Sequence, residues 1–103
     1  MTVSEIKSIL KETGIPSFWI TAPDKTKVPY ITYRVSVSNF YADNKPLHPI
    51  LGITINYYDI KRNDINESKI EEILNSHEIY WNKNPEYDDT SKLFITVYES
   101  EVI

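Results

Sequence analysis

Two stretches, Tyr30-Ile31-Thr32-Tyr33-Arg34-Val35-Ser36-Val37 and Leu51-Gly52-Ile53-Thr54-Ile55-Asn56-Tyr57, decide the fold. In the first, Ile31, Tyr33, Val35 and Val37 alternate with Tyr30, Thr32, Arg34 and Ser36. In the second, Leu51, Ile53, Ile55 and Tyr57 alternate with Gly52, Thr54 and Asn56. A period of two sends alternate side chains to opposite faces of a sheet, so both stretches read as long, half-buried strands. The segment from Asn39 to Pro46 breaks the alternation with turn-forming residues. The second strand should therefore return antiparallel to the first, with the hairpin tip near residues 39–49.

The pattern changes on either side of this hairpin. Thr2 and Glu5 have the spacing of a capping box, Val3, Ile6 and Leu10 recur on one helical face, and Gly14 supplies a left-handed stop, which predicts a helix over 3–13. Ile15-Pro16 cannot continue it. Ser17 to Thr21 is β-prone, and Ala22-Pro23-Asp24-Lys25 is a turn, so a first strand with a hairpin-like connection is expected. On the C-terminal side, Asp64 and Glu67 repeat the cap spacing. Ile70, Ile73, Leu74 and His77 form a stripe opposite Glu71, Glu72 and Asn75, which predicts a helix over 65–76. Ile79-Tyr80-Trp81 reads as a strand and Asn84 to Thr90 as an acidic loop. Lys92 to Glu99 reads as a last strand with Leu93, Ile95 and Val97 toward the core.

The order is α-β-β-β-α-β-β. It describes an α+β chain, one domain over 1–103, with a mainly antiparallel sheet and two helices packed on one face. Two short helices cover only one face, and a bare face carrying aromatic side chains marks a surface for self-association.

Composition limits the rest. The 103 residues are 41% hydrophobic and 25% charged, the mixture of a folded globular domain. There are no cysteines, which excludes disulfides, thiolate metal sites and a cysteine nucleophile. Met1 to Ile6 lack the features of a secretory signal and no run approaches the roughly 18 apolar residues of a membrane span, so synthesis and folding in the cytoplasm, with no membrane partner, are expected. Charge is uneven: residues 1–49 hold six bases against four acids, and residues 50–103 five against eleven. Acidic faces that happen to fall in the second half explain this, as do opposite-sign surfaces that meet between subunits.

Signals for chemistry are sparse. With only Gly14 and Gly52, no glycine-rich phosphate cradle is possible. His48 lies in a turn and His77 at a helix end, where a cation suits the dipole. Glu86, Asp88, Asp89 and Thr90 read as a solvated acidic turn rather than an oxygen-ligand cation site, and Glu71 and Glu72 point in different directions on a helix. Tyr30, Tyr33, Phe40, Tyr41, Tyr57, Tyr58, Tyr80, Trp81, Tyr87 and Tyr98 fall in or beside strands, where they serve as core or interface residues. No catalytic residue, metal or cofactor is expected.

Several pieces resemble one family. They are Ile15-Pro16 through Trp19, Ala22-Pro23, Val28-Pro29-Tyr30-Ile31-Thr32-Tyr33, and above all Asn39-Phe40-Tyr41-Ala42-Asp43-Asn44-Lys45. Ile53 to Tyr58, Ile70 to Leu74 and Ile79-Tyr80-Trp81 fit the same pattern. Together they resemble the small tail terminator, tail completion or tail-to-head joining proteins of long-tailed phages and prophages of Gram-positive bacteria. The resemblance implies a structural, cofactor-free virion tail protein, assembled in the host cytoplasm. Its partners would be copies of itself in a ring, commonly a hexamer, the tail tube protein, and the head completion or connector protein. DNA would pass through the ring without specific binding. The resemblance also implies that the hairpin contributes to ring contacts and the lumen, so Asn39, Phe40, Tyr41, Ala42, Asp43, Asn44 and Lys45 are the candidate interface or lumen residues. Two readings from other classes stay open. One is a nucleic-acid-binding module using strand tyrosines with Lys25, Lys27, Arg34 and Lys45. The other is a small hydrolase or metal-dependent enzyme built on the acidic loop.

Overall fold

A computed structural model describes residues 2–42 and 45–102, those of 39–42 and 45–49 by their backbone. The elements run α1 (Val3–Lys11), β1 (Ser17–Trp19), β2 (Tyr30–Ala42), β3 (Lys45–Asp59), α2 (Asp64–Ser76), β4 (Asn82–Asp88) and β5 (Leu93–Val102). The five strands form one mixed sheet in the order β1-β2-β3-β5-β4, antiparallel except for β1 against β2. The α-β-β-β-α-β-β order and the α+β class expected from the sequence are those of the structure.

The register fixes the two faces. Ile31, Tyr33 and Val35 of β2 lie opposite Tyr57, Ile55 and Ile53 of β3, and Ile55 and Tyr57 lie opposite Tyr98 and Thr96 of β5. Ile6, Ile9 and Leu10 of α1, with Ile70 and Leu74 of α2, close over this face to form the core. Burying each such side chain contributes roughly 1.5–3 kcal/mol, which is how two short helices are held on the sheet. Thr2 caps α1 by accepting the Glu5 N–H, and Gly14, at φ 76, turns the chain after it.

Five expectations are corrected. The connection after β1 is not a hairpin: β1 runs parallel to β2, Ser17 opposite Ile31 and Trp19 opposite Tyr33. The Pro23-Asp24 turn lies inside a crossover from Ile20 to Pro29 that returns the chain to the start of β2. Second, residues 39–42 do not turn. β2 continues to Ala42 and β3 begins at Lys45, with a register shift between Asn39 and Tyr41 absorbing the irregular sequence. Third, Ile79-Tyr80-Trp81 is not a strand. The Ile79 N–H closes the end of α2 on the Leu74 carbonyl, and Tyr80 is 88% exposed. Most of the predicted acidic loop is instead strand β4. Fourth, Leu93, Ile95 and Val97 face away from the helices. Both faces of β5 are apolar in sequence, and Tyr98 settles the choice by reaching Glu71 beneath α2. Fifth, Asn63 rather than Asp64 caps α2, its side chain accepting the Asn66 N–H.

Candidate assembly surface

β5 pairs with β3 as far as Leu51, opposite Val102, and β1 pairs with β2 only at Ile31–Tyr33. Among the described residues, Ser38–Ala42 and Lys45–Ile50 therefore pair only with each other, a two-stranded arm that continues the central strands out of the sheet. At about 3.3 Å per residue it reaches roughly 15 Å. The molecule measures 50 × 28 × 22 Å, and its radius of gyration is 14.8 Å where a compact domain of this length has about 13 Å. An isolated two-stranded ribbon is marginally stable in water, so such an arm is suited to lying against another surface.

The candidate residues converge here. Asn39, Phe40, Tyr41 and Ala42 form the outer end of β2 and Lys45 opens β3, while Asp43 and Asn44 lie outside the described residues. The sequence pattern reads as a turn from residue 39, whereas residues 39–42 are extended strand.

The helix-free face of the sheet is divided. Phe18, Tyr30, Tyr58, Ile95 and Val97 face it at one end. Tyr30 and Tyr58 stack with ring centroids 4.7 Å apart and planes 20° from parallel, and Phe18 meets Tyr30 edge-on at 6.4 Å. Loop residues Ile20–Thr26 flank this end around a cavity of about 260 Å³ that Tyr30, Thr32 and Tyr58 also line. Farther along come Arg34, Thr54, Glu99 and Glu101, beside a trough of about 470 Å³ lined in part by Ser36, Gly52 and Asn82. The bases proposed for nucleic-acid binding are spread out. Lys25 lines the smaller cavity and Arg34 faces the sheet beyond it, while the two tyrosines occupy one face of each other's rings.

The acidic stretch is accounted for locally. The Asp88 carboxylate accepts the Ser91 hydroxyl at 2.8 Å and the Thr90 N–H at 3.1 Å, and these bonds hold it below the usual carboxylate range. That is a turn-closing role, and Glu86 and Asp88 are strand residues rather than loop ligands.

Sequence reasoning missed a charged cluster between α2 and the sheet. Glu67, 2% exposed, points inward from α2. Its Oε1 lies 2.6 Å from Lys83 Nζ, an ion pair without aligned hydrogen-bond geometry, and its Oε2 lies 3.5 Å from Arg62 Nε. Lys83 also donates to Glu71 at 2.9 Å, and the buried Tyr98 hydroxyl donates to the same Glu71 oxygen at 2.8 Å. Burial alone would lower the Lys83 pKa, but the close contacts with Glu67 and Glu71 and their charges outweigh it, so the ammonium is held above its ordinary value. A second knot joins the end of β3 to the start of α2. Tyr57 donates to Asp59 at 2.6 Å, and Asn63 and Asn66 donate to Asp59 and Tyr57 in turn. Both clusters fix α2 on the sheet that carries the arm. The signal for the first was present: Glu67 shares the helical face of Ile70 and Leu74, a position a lone carboxylate holds only with a cation facing it.

No protein-family model matches the chain, and no curated protein matches it.

Proposed function

We propose that this chain is a structural subunit of a long-tailed phage tail, a tail terminator or tail-to-head joining protein. It acts without catalysis or cofactor by forming a ring on the end of the tail tube. The observation that carries the proposal is the arm. A two-stranded ribbon continues the central hairpin beyond the rest of the sheet, and it includes residues 39–42 and Lys45 of the segment in which the sequence most resembles that family. A rigid body with a projecting arm suits a heterologous, head-to-tail contact, in which one patch of each subunit meets a different patch of the next and the rotation closes into a ring. In this reading the ring ends polymerisation of the tube protein, offers a docking face to the head connector, and lets DNA pass through its lumen.

The test is tube growth. Purified tube protein of the same virus should polymerise to shorter tubes when the chain is added. A variant in which Asn39–Pro49 is replaced by Asn-Gly should leave growth unrestrained while keeping its fold. Tubes that elongate equally with and without the intact chain would overturn the proposal.

A further inference from the structure

The outer edge of β2 is bare, and the ladder fixes which of its groups face out. Ile31 N–H donates to the Pro16 carbonyl at 2.8 Å, and Ile20 N–H donates to the Tyr33 carbonyl at 2.8 Å. The odd-numbered residues of β2 therefore direct their amides away from β3, because backbone groups alternate sides along a strand. Immediately afterwards the chain leaves this edge. Thr21 N–H closes a tight turn on the Trp19 carbonyl at 2.7 Å around Ile20, whose φ of 65 is strained for a β-branched residue. Beyond Tyr33, Val35 and Val37 turn their N–H and C=O groups outward, with no backbone partner among the described residues, and Val37 is 58% exposed. From Arg34 to Ala42 this edge holds no proline and a single charge.

Among the described residues the other free edges are short or interrupted by proline. The same alternation, carried through β3 and β5 without a register shift, directs the Pro85 nitrogen of β4 outward, where a proline offers no N–H. The arm segment of β3 contains Pro46 and Pro49, and β1 is three residues long behind Pro16. An unblocked, β-prone edge beside blocked ones is a template for strand addition. The unblocked edge this chain can offer in return is β2 itself.

We infer that the free protein pairs β2 with β2 of a second copy, antiparallel about a two-fold axis at Ser38. The register follows from β1. The second copy's β1 ends beside its Tyr33, so nothing can lie opposite that residue. Placing the axis at Ser38 pairs the whole stretch from Arg34 to Ala42, so the described strand ends one residue short of Tyr33. Arg34 then meets the second copy's Ala42, so like charges do not oppose. Val35, Val37 and the outward positions 39 and 41 exchange about eight hydrogen bonds. Ser38 meets Ser38 in a non-hydrogen-bonded pair, with Cα atoms about 4.5 Å apart. This pairing rests on edge geometry and not on the tail reading, and it is measured on the free chain without tubes.

The experiment uses light scattering after size exclusion and a single-cysteine cross-link, which the cysteine-free sequence makes clean. The parent chain should approach twice its 12.1 kDa mass as concentration rises. Val37→Pro should return it to a monomer with an unchanged circular dichroism spectrum, because the lost N–H faces out of the ladder. Ser38→Cys should oxidise to a covalent dimer at least tenfold faster than Ser68→Cys on the exposed side of α2, since 4.5 Å lies within disulfide range. A 12.1 kDa species at every concentration, or oligomers that Val37→Pro leaves intact, would overturn the inference. If Val37→Pro fails to fold, the cross-link decides, and equal rates for the two cysteines would overturn it.

Discussion

Lys83→Met removes a charge from beneath α2 while keeping most of the side-chain stem. Glu67 is then left 2% exposed, with Arg62 Nε at 3.5 Å as its remaining cation, and Arg62 is itself about half exposed. Breaking a buried ion pair by deleting one partner costs about 3–5 kcal/mol, because the other charge stays desolvated. The Arg62 contact places the expected loss near the lower bound, about 3 kcal/mol. In a domain of this size each kcal/mol moves the thermal midpoint by about 4–8 °C, so the variant should melt about 12–24 °C below the parent. Urea unfolding should show a lower midpoint with an unchanged slope, since the surface exposed on unfolding is the same. Glu67→Met combined with Lys83→Met should recover part of the loss, because the buried carboxylate is gone. A Lys83→Met chain within about 1 kcal/mol of the parent would refute the argument that Glu67 depends on Lys83.

Asn63→Ala should cost about 1–2 kcal/mol in urea unfolding, because it removes both the α2 cap and a bond to Asp59. Asp64→Ala should cost about 0.5 kcal/mol, so equal losses would contradict the cap assignment. Stability should fall above about pH 10. Burial, seconded by Asp59 and Glu71, raises the Tyr57 and Tyr98 hydroxyls, and Lys83 is raised as well. Groups raised in the folded state contribute stability below their unfolded pKa and lose it as pH climbs through the folded one. Tyrosinate absorbance should therefore report two tyrosines that ionise only as the chain unfolds, whereas all eight titrating in the folded state would contradict their burial. Ile20→Gly should be neutral to slightly stabilising by thermal melting, within about 1 kcal/mol, because relief of the positive φ offsets glycine's entropy. Gly14→Ala, also at positive φ, should cost about 1 kcal/mol, and the same sign for both would refute the strain at Ile20.

The central hairpin was legible because Ile31, Tyr33, Leu51, Ile53, Ile55 and Tyr57 alternate without ambiguity and all face the helices. The helices were legible for the same reason, together with Thr2 and Gly14 at the ends of α1. Where alternation was ambiguous, the reading slipped by one residue. β5 offers Leu93, Ile95 and Val97 on one face and Phe94, Thr96 and Tyr98 on the other, and hydropathy favours the first. The structure selects the second, because the Tyr98 hydroxyl finds Glu71 there. The parallel pairing of β1 depends on where Ile15-Pro16 delivers the chain after α1, a tertiary fact no local pattern carries. Proline misled at β4, where Asn84 to Thr90 reads as a loop although Pro85 is harmless on an edge strand with its nitrogen turned out. The arm was misread in its conformation, since Asn39 and the Asp43 to Pro46 stretch suggest an early turn, whereas residues 39–42 are held extended by pairing with β3.

Imaging tube ends by electron microscopy after adding the chain tests the central claim most directly. The account predicts a closed ring of subunits on the tube end, lost when Asn39–Pro49 is replaced by Asn-Gly. Bare ends, or density scattered along the tube wall, would contradict it.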